Sequence, residues 1–484
     1  MFILFLYGLI YFSPIYCFSQ PIWLSKEQVK EDYQMMRTAL LDAHPGLDLY
    51  LDEAALDHSF PVDLNFPDSS SLLEIYQLFA SKVATIQDGH TSLAPGSKLQ
   101  TALSAIPYLP FQLEWIEDQL VVINGMAEPY ELSNYSVIQS INGISAKEIV
   151  RTIYAMTAAD ADNEDFKQAY NNKILAEQIR IHFGKTEGYK IEWLSEDGKK
   201  QVHTFPGLER PLPNQEVAYP LIELSLQKGE NYAVLRINTF QHRLLNEMHI
   251  QFPNYIHAAF NAIKKSSVEH LIIDLRDNYG GENVFAIYLF AYLASQDFKV
   301  MGPAKTKLGP SFPWLELTNF PSGEIPYLSK HETHKLADTW TLLMNGIDSK
   351  PIYRSTNIYF DHLKRSHDIK RQKFDGQVYC LINGLTFSAA SHFSSLLSTR
   401  KRVTFIGQAM GGAHGPSCGA GQLVLELPRS GFRLSIPFVQ RQVADIDLDR
   451  GPIFQPNHEV KFSLQDRIHR RDPVMEKALE LIGE

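Results

Sequence analysis

Residues 380–392 read CLINGLTFSAASH. An apolar run that suits a buried strand breaks at Asn383-Gly384, and Ser388 follows, backed by the small residues Ala389 and Ala390. A strand that ends in such a turn and re-enters as a helix displays a hydroxyl well, because the first amides of a helix have no intrahelical acceptor. It is also an ordinary strand–turn–helix, so Ser388 counts as a nucleophile only with a base and oxyanion donors beside it. The same design occurs earlier in HLIIDLRDNYGGENVFAIYLFAYLAS, residues 270–295, where the turn carries Gly280 and Gly281. YAVLRINTF at 232–240 and VTFIG at 403–407 read as further strands, and 243–265 as helical although interrupted by Pro253. Strands alternating with helices predict an α/β core with a mixed, partly parallel sheet. In such sheets chemistry gathers in the loops after the strand C-termini.

Working outward, the chain divides into parts of different texture. Residues 24–100 read as helical: Ser25 precedes a helix ended by Pro45, and Ser71 with Glu74 makes a capping box before LLEIYQLFASKVATI. There Leu72, Ile75, Phe79, Val83 and Ile86 share one face, and the helix is expected to stop at Asp88-Gly89, directly before His90. Residues 107–205 are β-rich. FQLEWIEDQLVVING (111–125) alternates and is expected to turn at Asn124-Gly125; SVIQSINGISAKEIVRTIYAM (136–156) reads as strand, turn and helix; KIEWLSEDGKKQVHTF (190–205) reads as a hairpin. The Pro- and Lys-rich stretch at about 301–375 reads as an insertion over the core. Asp472-Pro473 opens a closing helix. The expected organisation is therefore a leader at 1–19, a helical region at 20–105, a small β-rich domain at 106–210 and the α/β core at 211–484.

Composition narrows the function classes. With 44% hydrophobic and 21% charged residues, the 484-residue chain has the make-up of a globular protein with real cores. A formal net charge of -10, without any basic run, argues against a nucleic-acid surface. The first nineteen residues, MFILFLYGLIYFSPIYCFS, carry no charge and are broken by Ser13-Pro14, which suits a secretory signal peptide cut near Ser19 better than a membrane span. The mature chain is thus expected outside the cytoplasm, secreted or periplasmic. Tyr16 before Cys17 is too bulky for a lipid-attachment motif. Two cysteines remain, Cys380 and Cys418, too few for a disulfide framework or a common zinc site; Cys380 reads as a buried thiol. GQAMGGAHGPSCGAG (407–421) lacks the Gly-Lys-Ser/Thr of a phosphate-binding loop. No cofactor or metal is expected.

The pairing of LRDNYGG (275–281) with NGLTFSAA (383–390) resembles the tail-specific, or C-terminal-processing, serine peptidases and their tricorn-like relatives. The resemblance extends to SVIQSINGISAKEIV, similar to the end of that family's PDZ-like module, and to ENYAVLRINTFQ (230–241), IGQAMGG (406–412) and DPVMEKALELI (472–482). It implies a crotonase- or ClpP-like core with Ser388 as nucleophile. It also implies an oxyanion hole from the amides of Ala389 and Gly280, with Gly281 the near alternative. Many bacterial members place a lysine base where this chain has Gly412. The tricorn-like branch uses a histidine from the helical region, and ATIQDGHTSL (84–93) carries that role to His90. An imidazole suits proton transfer near neutrality. His392 and His414 are the rival bases, and His414 is a candidate substrate contact. The acid that orients the imidazole is expected in DIDLDRGPIFQPNHEV (445–460), at Asp447 or Asp449, with Glu459 outside and Asp88 a further option more suited to capping a turn. The resemblance implies hydrolysis of peptide or unfolded protein substrates. A non-catalytic binding protein on the same scaffold, as in the retinoid-binding proteins of the eye, and an esterase or amidase stay open, as does oligomerisation.

Overall fold

The α/β core is built on a six-stranded sheet in the order Ile222–Leu226, Tyr232–Ile237, His270–Asp274, Gln377–Ile382, Val403–Gly407, His458–Glu459. The first pair is antiparallel and the remaining neighbours are parallel. The computed structural model describes residues 22–483 apart from 126–131, 185, 196–197, 213–219, 227–228, 303–304, 308–312, 320–340, 344–351 and 355–365. The leader at 1–19 and most of the insertion at about 301–375 therefore lie outside the described residues.

Strand alternation explains the layers. Leu271, Ile273, Cys380 and Ile382 point into the main hydrophobic core with helices Phe252–Ser266, Asn283–Phe290 and Ala389–Leu397. Ile272, Tyr379, Leu381 and Ile406 face the other way, onto Val474 and Ala478 of the closing helix Pro473–Gly483. Pro253 does not break a helix but lies in the first turn of one, where its missing N–H costs nothing. Cys380 and Cys418 are buried thiols that form no disulfide.

A second sheet is dominated by the hairpin Pro416–Glu426 and Arg433–Gln442. Strand Ser92–Ala94 pairs with its second arm, Leu93 opposite Leu434. The helical region packs behind it. Helices Lys26–Ala43 and Leu72–Ala84 both begin with capping boxes, Ser25 with Gln28 and Ser71 with Glu74. The second of these helices stops at Ala84, short of the expected Asp88-Gly89, because Gln87 turns left-handed at φ 59° and gives its carbonyl to Ala161.

The third sheet, within 111–206, has its own hydrophobic core with helices Ala146–Ala155 and Glu164–Phe183. Its first hairpin turns at Glu117-Asp118, both at positive φ (49° and 57°), not at Asn124-Gly125 as expected. The register decides this: Leu113 faces Val122 and Trp115 faces Leu120, so all four apolar side chains enter the module core. Arg180 joins this module to the helical region, donating to the carbonyls of Ile106 and Leu103 and lying 3.7 Å over the Tyr108 ring.

Candidate active site

Ser388 follows strand Gln377–Ile382, and the Gly280-Gly281 turn follows the neighbouring parallel strand His270–Asp274. Both therefore emerge at the same edge of the sheet. The turn before Ser388 is fixed by its own side chains: the amide of Leu385 donates to Asn383 Oδ1 at 3.1 Å, and Thr386 Oγ1 donates to the Leu275 carbonyl at 3.0 Å. Ser388 itself sits at φ 53°, ψ −117°, a conformation that costs a non-glycine residue on the order of 1–3 kcal/mol. Helix Ala389–Leu397 starts immediately after it.

Gly280 (φ 94°) presses on this turn so closely that a Cβ would stand 2.7 Å from the Phe387 carbonyl oxygen and 2.9 Å from the Ala389 nitrogen. Only glycine fits there. Its amide, however, donates to Asn278 Oδ1 at 2.9 Å. The expectation that Gly280 supplies a free oxyanion donor is corrected to this extent: the Asn278 side chain, folded back in an Asx turn, occupies that N–H. Among the described residues the amides of Gly281 and Ala389 have no hydrogen-bond acceptor.

His90 reaches Ser388 from 298 positions upstream, its Nε2 3.1 Å from the Ser388 Oγ. The loop that carries it is anchored on both sides. Strand Ser92–Ala94 is held in the second sheet, the His90 carbonyl accepts from Gln422 Nε2 at 3.1 Å, and the ring stacks on Phe387 at 4.5 Å. Gly89 allows the stack, since a Cβ there would come 2.9 Å from the Phe387 ring. Burial lowers the His90 pKa to about 4; Asp88 opposes that shift, and Arg441 and His44 add to it. The imidazole is therefore neutral near pH 7 and its Nε2 can accept the serine proton, with the other proton on the buried Nδ1.

The expected orienting acids are not brought to this histidine. Asp447 uses its carboxylate within its own exposed turn, accepting from the amide of Asp449 at 3.1 Å and lying 3.7 Å from Arg450. Asp449 is exposed in the same turn, and Glu459 pairs with Lys461 at 3.0 Å. Asn457 accepts from the Phe405 amide at 2.8 Å, tying the chain before strand His458–Glu459 to strand Val403–Gly407. Instead, the donor atoms of Asp88, His90 and Asp160 lie within 4.8 Å of one another. Asp88 is buried and accepts from His44 Nε2 at 3.0 Å and from Thr91 Oγ1 at 2.5 Å. His44 and Thr91 hold its carboxyl below the ordinary carboxylate range despite its burial.

The rival histidines are committed elsewhere. His392 is buried, with Nδ1 3.2 Å from Asn283 Oδ1 and Nε2 3.0 Å from Ser417 Oγ. His414 is also buried, bound to Ser395 Oγ at 3.1 Å and to the Asp447 carbonyl at 3.1 Å, so it is no substrate contact. Both ring nitrogens of each are taken up by contacts to neighbouring helix, strand and turn residues. Two groups among the described residues, His44 with Asp88 and Cys418, and Asp88 with His90 and Asp160, also have the spacing of cation ligands. Asp88 is common to both such groups, and its hydrogen bonds to His44 and Thr91 account for the arrangement. His44, Thr91, Asp160 and Arg441 were not legible as site residues: no spacing links them to the serine, and only folding places them there.

Residues 231–435 match the model of peptidase family S41. The match lies within the α/β core and ends in the second arm of the second sheet's hairpin. This match indicates a serine-type peptidase. Among solved structures it is similar to mature CPAF complexed with lactacystin (TM-score 0.60, 14% identity, 94% of this chain and 99% of that one). Mature CPAF alone gives the same score and identity, with 98% of that chain covered. A peptidase from Parabacteroides merdae ATCC 43184, described as putative, is similar at TM-score 0.45 and 13% identity over 94% of this chain and 96% of that one. The two CPAF likenesses show that the fold of that protein runs through 94% of this chain. A search of curated proteins finds no match.

Proposed function

We propose that this peptidase works through a Ser388–His90 pair, as in the histidine-base, tricorn-like branch of its family, on peptide or unfolded protein substrates outside the cytoplasm. The observation that carries the reading is the 3.1 Å approach of His90 Nε2 to Ser388 Oγ. Ser388 Oγ attacks the peptide carbonyl while His90 Nε2 takes its proton. The tetrahedral oxyanion is met by the amides of Ala389 and Gly281. His90 then protonates the leaving amine, and water, deprotonated by the same nitrogen, hydrolyses the acyl-enzyme. Gly412, where relatives carry a lysine, supplies no side-chain base: a Cβ there would stand 2.2 Å from Ser391 Oγ.

The charge-free leader at 1–19 supports export. The small β-rich domain serves as a PDZ-like module that docks a peptide end by strand addition. A cavity of about 790 Å³ beside strand Val137–Ile141, with Gln119, Tyr135 and Lys147 in its lining, supports that role. The test is hydrolysis of an unfolded protein together with labelling by a fluorophosphonate. Ser388→Ala should abolish both, and His90→Ala should lower kcat by about 10³-fold or more with the fold intact. Full activity in either variant overturns the assignment.

A further inference from the structure

The chain between the two helices of the β-rich module does not stay within the module. Residues 160–166 run into the active site and touch both loops that meet there. Asp160 is the centre of this strap. It is 2% exposed, and its two carboxylate oxygens accept one amide from each side: Gly89 N at 2.7 Å, next to His90, and Ala413 N at 2.8 Å, in the Gly-rich turn after the nucleophile helix. Neighbouring contacts repeat the pattern. The Ala161 amide donates to the Gln87 carbonyl at 3.0 Å. Asn163 Nδ2 donates to the Met410 carbonyl at 2.8 Å, and Asp165 Oδ2 accepts from the Ala409 amide at 3.2 Å. Phe166 packs on Phe387 at 5.0 Å, the same ring that stacks on His90.

The strap is held in a costly shape. Ala161 (φ 51°) and Asp162 (φ 60°) are both left-handed without being glycine. Such strain persists only where the surroundings over-determine it, and here the surroundings are the two catalytic loops. Resting on the Ser388–His90 reading, we propose that Asp160 is a positioning residue: it clasps the base loop to the nucleophile loop, so that docking of the β-rich module sets the His90–Ser388 geometry.

The chemistry of the clasp follows from its surroundings. Asp88 and His90 face Asp160 from the base loop, Tyr50 from the helical region and Tyr279 from the Gly-rich turn of the core. Burial and the Asp88 charge push the Asp160 carboxyl well above the ordinary range, while the two amides favour its ionised form. Ionised, it accepts both amides at full strength; protonated, one oxygen becomes a donor and one amide is released. The clasp therefore weakens on the acid side before His90 itself takes up a proton.

The experiment compares wild type with Asp160→Asn, Asn171→Ala and His90→Ala, using kcat and KM on a peptide and the pH dependence of fluorophosphonate labelling. Asn171 is a buried module residue bonded to Thr157 and to the Lys167 carbonyl, away from both loops, and its loss reports on module stability alone. Asp160→Asn turns an N–H toward one of the amides. It should lower kcat about 10- to 100-fold with KM within about three-fold, the effect of a small misplacement of reacting groups. It should also remove the step on the acid limb of labelling that lies above the His90 titration. Wild-type kcat in Asp160→Asn, or an equal kcat loss in Asn171→Ala, overturns the proposal. Retained activity in His90→Ala instead overturns the reading on which it rests.

Discussion

Ser388 holds a strained backbone and shares its hydroxyl with an imidazole that burial keeps neutral. Both properties belong to the surroundings of the residue, not to the residue type. The same holds for His392. Its pKa lies well below the ordinary histidine value because burial disfavours the charged form and Arg441 and His90 add to that. An unfolded histidine titrates near ~6.5. Below that pH the unfolded chain takes up a proton that the fold refuses, so the folded state loses stability as pH falls. His392→Gln lacks this uptake. The melting temperature of wild type should exceed that of His392→Gln at pH 7, and the gap should shrink at pH 5. A gap that widens on acidification would show that the imidazole is charged in the fold.

At the scale of elements, His90 is positioned by a helix end and a short strand. Helix Leu72–Ala84 starts at the Ser71–Glu74 capping box, and the loop after it leads through Asp88 and His90 into strand Ser92–Ala94. Tyr76 of that helix donates to the Leu93 carbonyl at 3.0 Å, tying helix to strand. Ser71→Ala should cost about 1 kcal/mol in urea unfolding, the usual value of an N-cap, and leave kcat unchanged because the cap lies at the far end of the helix. The capping box and the apolar face of this helix were readable, since both depend on near neighbours. The helix end was not, because a contact with Ala161 decides it. The hairpin at 111–125 shows the same limit: Asn124-Gly125 is a strong local turn signal, and burial of Leu113, Trp115, Leu120 and Val122 overrides it.

For the whole molecule, one charged network joins the sheet to the closing helix. Asp274, at the end of a central strand, accepts from Arg236 and Arg276, and Arg276 continues to Asp472 at 2.7 Å and 2.8 Å. Asp472 also accepts from the Met475 amide at 3.0 Å and so starts the closing helix. Asp472→Ala removes both functions and leaves the largely buried Arg276 with one acid. The expected loss is about 1–3 kcal/mol, read as a lower urea midpoint with an unchanged slope. An unchanged midpoint would mean that Arg276 is satisfied by Asp274 alone.

Strand–turn–helix repeats, small residues around Ser388 and glycines at 280–281 are local patterns, and they were enough to read an α/β core and to single out Ser388 as a candidate from the order of residues. His90 could be named because its motif follows a helix end in a recognisable setting. Its distance to Ser388 comes from the pairing of Ser92–Ala94 with a hairpin more than three hundred residues away. The acid shows the boundary most clearly. Asp447 and Asp449 sit at a plausible place along the chain, yet their carboxylates stay in their own exposed turn. The carboxylates beside His90 are Asp88, which local spacing suggested only as a cap, and Asp160, which nothing local suggested. A carboxylate's role depends on its dielectric surroundings and on the donors facing it, and these exist only once three separate parts of the chain have packed together.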